Sequence, residues 1–243
     1  MQTVGKSDIG KLRSRNEDSF CFGNFDDGVY WSVVCDGMGG ATGGQIASST
    51  TCEIISDKIK KCYNKSMGER SLENLLLSAI TTANVAVYDM AKADISLSGM
   101  GTTVVACVIK DSVACIAHGG DSRAYHLNFD GITQITKDHS LVQEMLDKGQ
   151  ITREQFDHHP NKNIITRALG VKETIDIDFS FVNLEKNDAV LLCTDGLSGM
   201  VTDEMLYEFY NSEELEALPE AYIVAANEYG GKDNITVTVT KND

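Results

Sequence analysis

The stretch Val29-Tyr30-Trp31-Ser32-Val33-Val34-Cys35-Asp36-Gly37-Met38-Gly39-Gly40 decides how this chain is read. It is an apolar, β-branched run that stops at an aspartate followed by glycines. The run reads as a buried strand, and the Asp-Gly step as a tight turn where the backbone can approach something closely. A carboxylate at the end of a packed strand is costly unless a cation or several donors neutralise it, so Asp36 needs a partner.

The pattern recurs. Asp188-Ala189-Val190-Leu191-Leu192-Cys193-Thr194-Asp195-Gly196 is again an apolar strand that ends in Asp-Gly. Asp121 lies in Gly119-Gly120-Asp121-Ser122-Arg123, after Val113–Ala117, and Asp233 in Gly231-Lys232-Asp233-Asn234, ahead of Ile235–Val239. Asp18 closes Arg15-Asn16-Glu17-Asp18, ahead of Ser19–Phe22. If these five aspartates converge, their charges repel, and hard divalent cations held through oxygen are the natural remedy.

Asp26-Asp27-Gly28 predicts a hairpin turn into the Val29 strand, after a short strand, a polar link and a strand from Ser19 within residues 7–24. Apolar spacing predicts a helix from Gln45 to about Tyr63. A second helix, capped by Ser71, carries Leu72, Leu75, Leu76, Ala79, Ile80, Ala83, Val87 and Met90 on one face. Three strands follow, Thr102–Lys110, Ser112–His118 and Arg123–Asn128, joined so briefly that successive ones should pair antiparallel. Residues 139–170 form a polar excursion with helical starts at Ser140 and Thr152. Strands at Ile175–Val182 and Ala189–Cys193, helices at Asp203–Tyr210 and Glu213–Tyr229, and a strand from Ile235 complete the order.

This order predicts an α+β fold: a central antiparallel β-sandwich of two sheets flanked by helices, four layers αββα, with a small flap excursion at 139–170. No linker, repeat or low-complexity tract divides the 243 residues, so residues 1–243 read as one domain.

Lys plus Arg total 21 against 36 Asp plus Glu, a formal charge of -15, which argues against nucleic acid or an anionic membrane as the main partner. Seven cysteines without CxxC spacing favour a reducing cytoplasm over a disulfide framework. The N-terminal residues lack the apolar core of a signal peptide, and no run approaches the length of a membrane span.

Ser7-Asp8-Ile9-Gly10-Lys11-Leu12-Arg13-Ser14-Arg15-Asn16-Glu17-Asp18, Asp36-Gly37-Met38-Gly39-Gly40, Gly101-Thr102-Thr103, Gly120-Asp121-Ser122-Arg123, Asp138-His139-Ser140-Leu141-Val142, Thr166-Arg167-Ala168-Leu169-Gly170, Asp195-Gly196-Leu197 and Asp233-Asn234 stand in one order. In that order the chain resembles bacterial members of the metal-dependent type 2C protein serine/threonine phosphatase family, from about Ser7 to Val239. Any one motif is weak, because Asp-Gly is common in turns; eight in register are specific.

The resemblance implies two or three Mn2+ or Mg2+ ions at one end of the sandwich. By analogy, Asp36 would bridge two metals, the Gly37 carbonyl would ligate one, and Asp195 and Asp233 would complete the other. Asp121 would share a third site with Asp195, Asp18 would act directly or through water, and Arg13 would bind phosphate. The implied reaction is hydrolysis of phosphoserine and phosphothreonine monoesters by a metal-bridging water or hydroxide, which suits a dianion that needs neutralising and an in-line nucleophile. A bidentate arginine grips phosphoryl oxygens as lysine cannot. The implied setting is a cytoplasmic monomer acting on phosphorylated proteins and opposing a bacterial Ser/Thr kinase.

One departure concerns the proton donor. Relatives of this kind often carry histidine after Gly-Met-Gly-Gly or inside the Asp-Gly motif; here Ala41 and Met38 stand there, leaving metal-bound water as the default donor. Other readings stay open at single residues. A pairing with Arg123 or a turn role would explain Asp121 or Asp18 without metal, and a surface carboxylate would explain Arg13. Asp8 reads as structural or as support to a ligand, and His118, His126 and His139 as strand and turn residues. His158-His159 reads as solvated. A catalytically silent regulatory module of the same fold is the alternative, against which the intact aspartate set speaks. A two-metal phosphodiesterase or nuclease is disfavoured by the negative charge.

Overall fold

The computed structural model describes residues 1–39, 42–157 and 159–243. Gly40, Ala41 and His158, named above, lie outside the described residues. Its strands are β1 (Gln2–Asp8), β2 (Ser19–Asn24), β3 (Tyr30–Cys35), β4 (Gly37–Met38), β5 (Gly101–Thr102), β6 (Val104–Lys110), β7 (Val113–Gly119), β8 (Arg123–Asn128), β9 (Gly131–Gln134), β10 (Asp178–Asn183), β11 (Ala189–Cys193) and β12 (Ile235–Lys241). Its helices are α1 (Gly43–Cys62), α2 (Glu69–Ala93), α3 (Leu141–Asp147), α4 (Arg153–Asp157), α5 (Asp195–Ser198), α6 (Asp203–Ser212) and α7 (Leu218–Glu228).

Two five-stranded sheets form, in the orders β1-β12-β11-β8-β9 and β10-β7-β6-β3-β2, with every neighbouring pair antiparallel. Strand periodicity sorts the side chains. Val34, Val105, Cys107, Ile109, Ile116, Val190 and Leu192 fill the space between the sheets. Their neighbours Val33, Val104, Ala106, Val108 and Ala117 face outward onto Ile55, Ile59, Leu76 and Ile80 of α1 and α2. On the far side, Leu191, Val237 and Val239 pack against Leu206, Tyr222, Ile223 and Ala226 of α6 and α7. Apolar side chains on both faces of a strand need cover on both sides, and the four αββα layers supply it. All seven cysteines are free thiols. No helix among the described residues is long and apolar enough to cross a membrane.

Several details differ from the sequence reading. The first strand begins at Gln2, and α2 starts at Glu69 behind Gly68, so Ser71 lies inside the helix and caps nothing. Thr102–Lys110 divides at Thr103, because Gly37 and Met38 pair with Thr102 and Gly101 while Val105 pairs with Val34. β7 and β8 do not pair: Gly119 to Ser122 carries the chain from one sheet to the other. The helix expected from Glu213 begins only at Leu218, with Pro219 in its first turn, where the missing N–H costs nothing.

Candidate metal centre

Register alone gathers the acids at one end of the sandwich. Ser19 pairs with Cys35, which sets Asp18 beside Asp36. Arg123 pairs with Cys193, so the continued register sets Asp121 beside Asp195. Cys193 pairs with Val237, which brings Asp233, just ahead of β12, to the same rim. Asp36 follows β3 in the facing sheet, and it feels the charges of Asp18, Asp195, Asp121 and Asp233.

Asp18 is buried, and its Oδ2 accepts hydrogen bonds from Thr194 Oγ1 (2.9 Å) and Thr236 Oγ1 (2.7 Å). Its Oδ1 is buried without a partner. Burial, partly offset by the two hydroxyls and reinforced by Asp195 and Asp233, pushes its carboxyl up to about 7. Burial and Asp195 push Asp121 up to about 8. Asp36 is raised well above the ordinary carboxylate range by burial and by Asp18. Asp195 is raised by burial and by Asp233, partly offset by the neighbouring Asp36 side chain, and also keeps a buried Oδ1 without a partner.

Arg13 donates to Asp233 Oδ2 at 2.6 Å, and the charges of Asp36 and Asp195 also reach it. It is half exposed, so one guanidinium edge is available to an incoming anion. As the side chains lie, no three His, Cys, Asp or Glu groups among the described residues enclose a common point suited to an ion. The donor chemistry nevertheless fits a hard divalent cation. Crowded carboxylates disfavour their own ionisation, and two of them present buried oxygens without hydrogen-bond partners. Arg13 donates to Asp233 and leaves those inward oxygens without a partner.

The backbone around the acids is held tightly. Thr103 Oγ1 accepts from the Asp36 N–H (2.9 Å) and shares a hydrogen bond with Ser122 Oγ (2.7 Å), while Thr102 Oγ1 donates to the Asp36 carbonyl (2.8 Å). Asn234 Nδ2 donates to the carbonyls of Ile9 (2.9 Å) and Arg15 (2.8 Å), and its Oδ1 accepts from Glu17 N–H (2.8 Å), which fixes the loop carrying Arg13. Gly37 must be glycine, because a Cβ there would lie 2.2 Å from the Gly44 carbonyl oxygen at the start of α1. Asp8 is structural, accepting from Gly10 N–H (2.8 Å) and Asn227 Nδ2 (3.1 Å).

Two ion pairs bear on the alternatives open at single residues. Arg123 does not pair with Asp121; it binds Asp138 in a two-pronged contact at 2.9 and 2.7 Å. Arg13 does meet a carboxylate, but that carboxylate is Asp233 within the acidic cluster. Met38 lies against Gly101 and offers no titratable proton. The supporting roles of Thr103, Thr194, Thr236 and Asn234 escaped the sequence reading. The available signal was threonine recurring at the ends of apolar strands, close to the aspartates.

A cleft of about 540 Å³ opens from Asp121 and Asp195, bordered by Arg153 and Phe156 of the excursion and by Met200 and Asp203 across from them. The protein phosphatase 2C family profile matches residues 4–236. The chain belongs to that family. It is a protein phosphatase, a phosphoric monoester hydrolase of a metal-dependent family. The serine/threonine phosphatase stp of Listeria monocytogenes is 38% identical over 244 residues, covering 100% of this chain and 96% of the relative. The solved structure of Stp1, a serine/threonine phosphatase from Staphylococcus aureus, superposes with a TM-score of 0.93 at 31% identity, covering 100% of this chain and 95% of that one. The catalytic domain of PstP, solved in complex with two manganese ions, superposes with a TM-score of 0.87 at 31% identity over 100% and 98% of the two chains.

Proposed function

We propose that this phosphatase hydrolyses phosphoserine and phosphothreonine monoesters in proteins with two or three Mn2+ or Mg2+ ions held by Asp36, the Gly37 carbonyl, Asp195 and Asp233, with Asp121 and Asp18 contributing further oxygens. The observation that supports this most is the convergence of five aspartates whose carboxyls are crowded at one rim, beside the half-exposed Arg13. Bound there, hard divalent ions supply charge neutralisation and an activated water.

The chain's own residues do the rest. Arg13, steadied by Asp233, presents its guanidinium to the phosphoryl oxygens and orients the ester. Asp18, clamped by Thr194 and Thr236, holds the ends of β11 and β12 together, so that Asp195 and Asp233 keep one spacing. Thr102 and Thr103 fix the peptide groups on both sides of Asp36. Residues 1–243 work as one domain, with 139–170 as a flap whose cleft borders the acids and takes up the polypeptide around the phosphorylated residue. The physiological setting we propose is a cytoplasmic monomer that reverses the work of a cognate Ser/Thr kinase.

Hydrolysis of a phosphothreonine peptide and of a phosphodiester, each with Mn2+, with Mg2+ and with chelator, tests this reading. Metal-dependent cleavage of the monoester alone is expected. Preference for the diester, or turnover that survives chelation, would contradict it.

A further inference from the structure

We infer that His139 is a positioning residue for Asp121, one that ties the direction of that carboxylate to the root of the 139–170 excursion; the inference rests on the proposed reading of Asp121 as a metal ligand. His139 is buried, and it uses both backbone groups of Gly120: its N–H donates to the Gly120 carbonyl at 2.8 Å, and its Nδ1 accepts from the Gly120 N–H at 3.0 Å. The Gly120 carbonyl belongs to the peptide plane that leads into Asp121, and the Gly120 N–H to the plane before it. Because peptide groups are planar, one side chain and its own N–H thereby set both backbone rotations of Gly120 and fix the peptide plane that leads into Asp121.

Ser122 in this turn is tied to Thr103, whereas Gly120 is tied through His139. Gly120 has φ +134, a conformation that favours glycine, and a Cβ there would lie 2.5 Å from Thr103 Cβ. The crossing also carries no sheet pairing between β7 and β8. His139 supplies the missing constraint and passes it outward. A backbone N–H can only donate, so Nδ1 is unprotonated and Nε2 carries the hydrogen, which goes to Asp178 Oδ2 at 3.0 Å. Arg167 holds the other oxygen of Asp178 at 2.7 Å, and the Thr166 N–H donates to the His139 carbonyl at 2.8 Å. Thr166 and Arg167 belong to the returning arm of the excursion. His118, whose ring nitrogens are both buried and unpartnered, stacks on His139 with ring centroids 4.5 Å apart and backs the imidazole as a flat plate.

Asparagine places its Oδ1 where Nδ1 stands, whereas glutamine reaches only the Nε2 end, so the two variants separate the inner bond from the outer one. Mn2+ binding by calorimetry and amide hydrogen exchange at Gly120 are measured for wild type, His139→Asn, His139→Gln and Asp121→Asn. His139→Asn should retain near wild-type Mn2+ affinity and Gly120 protection. His139→Gln should weaken the binding step lost in Asp121→Asn by about 10- to 100-fold, the range for outer partners of metal ligands, with faster exchange at Gly120. Equal behaviour of the Asn and Gln variants would overturn the inference. Wild-type Mn2+ binding in Asp121→Asn would overturn the ligand reading on which it rests, whereas loss in Asp121→Asn with none in His139→Gln would overturn the inference alone. Should the His139 variants not fold, the through-hydrogen-bond 15N–15N coupling between Gly120 N and His139 Nδ1 in the wild-type protein decides the point: its presence supports the inference and its absence refutes it.

Discussion

Asp18 Oδ2 accepts from Thr236 Oγ1 at 2.7 Å and so fastens the loop ahead of β2 to the strand that follows Asp233. Both residues are buried, and among the described residues this carboxylate has one other hydroxyl donor, Thr194. Thr236→Val preserves shape and removes one donor. A hydrogen bond to a charged group contributes about 1.5–3 kcal/mol and one to a neutral group about 0.5–1.5 kcal/mol. Since Asp18 is held at about 7 by burial, the variant should lose more stability at pH 8 than at pH 5. Urea denaturation at the two pH values checks this, and an equal loss at both would count against the charged Asp18–Thr236 contact.

The whole cluster imposes a sign on the pH dependence of the metal-free protein. Burial and neighbouring carboxylates raise Asp18 to about 7 and Asp121 to about 8, whereas an unfolded aspartate titrates near about 3.9. Between about pH 4 and pH 8 the native state therefore binds more protons than the unfolded state, and these groups make unfolding easier as pH rises. Chelated protein should melt at a higher temperature at pH 5 than at pH 8. Mn2+ should restore more at pH 8, where the carboxylates are ionised and free to ligate. Scanning calorimetry with and without chelator measures both, and a chelated protein that gains stability from pH 5 to pH 8 would refute the crowding.

Arg13→Lys keeps the positive charge beside Asp233 but loses the planar fork. Removing bidentate recognition should lower kcat/KM for a phosphothreonine peptide by about tenfold or more, with little effect on melting temperature because the side chain is half exposed. Steady-state kinetics checks it, and an unchanged kcat/KM would remove Arg13 from phosphate binding.

How much of this was legible beforehand depends on what each residue must do alone. Asp36 and Asp195 announce themselves because an apolar run ends at each, and the unbroken apolar run Val104–Ile109 reveals a strand packed on both faces. The strand at Gln2–Asp8 is only partly buried at a sheet edge, so its polar composition hid its full length. Short spacing between β7 and β8 suggested a hairpin, but His118 and Arg123 belong to different sheets, a choice made by tertiary pairing. Thr103, Thr194 and Thr236 look like ordinary strand residues, and their hydroxyls acquire a purpose only when segments distant in sequence meet. Arg123 had a nearer aspartate in sequence, yet Asp138 takes it because the facing loop offers both oxygens at once.

Exchange of residues 150–162, the outer part of the 139–170 excursion, for a neutral linker tests the flap while His139, Thr166 and Arg167 stay in place. The cleft beside Asp121 and Asp195 takes Arg153 and Phe156 from this segment, whereas Asp36, Asp195 and Asp233 lie outside it. Protein-substrate preference should change while hydrolysis of a small aryl phosphate persists. Loss of both activities in a folded protein would show that the segment belongs to the chemistry.

Everything rests on distant carboxylates sharing divalent ions, and equilibrium Mn2+ binding paired with phosphothreonine-peptide hydrolysis in wild type and Asp195→Ala tests that most directly. Wild type is expected to bind at least two ions, and Asp195→Ala to lose binding and turnover together while remaining folded. An Asp195→Ala protein that binds Mn2+ as wild type does and still cleaves the peptide would contradict the assignment.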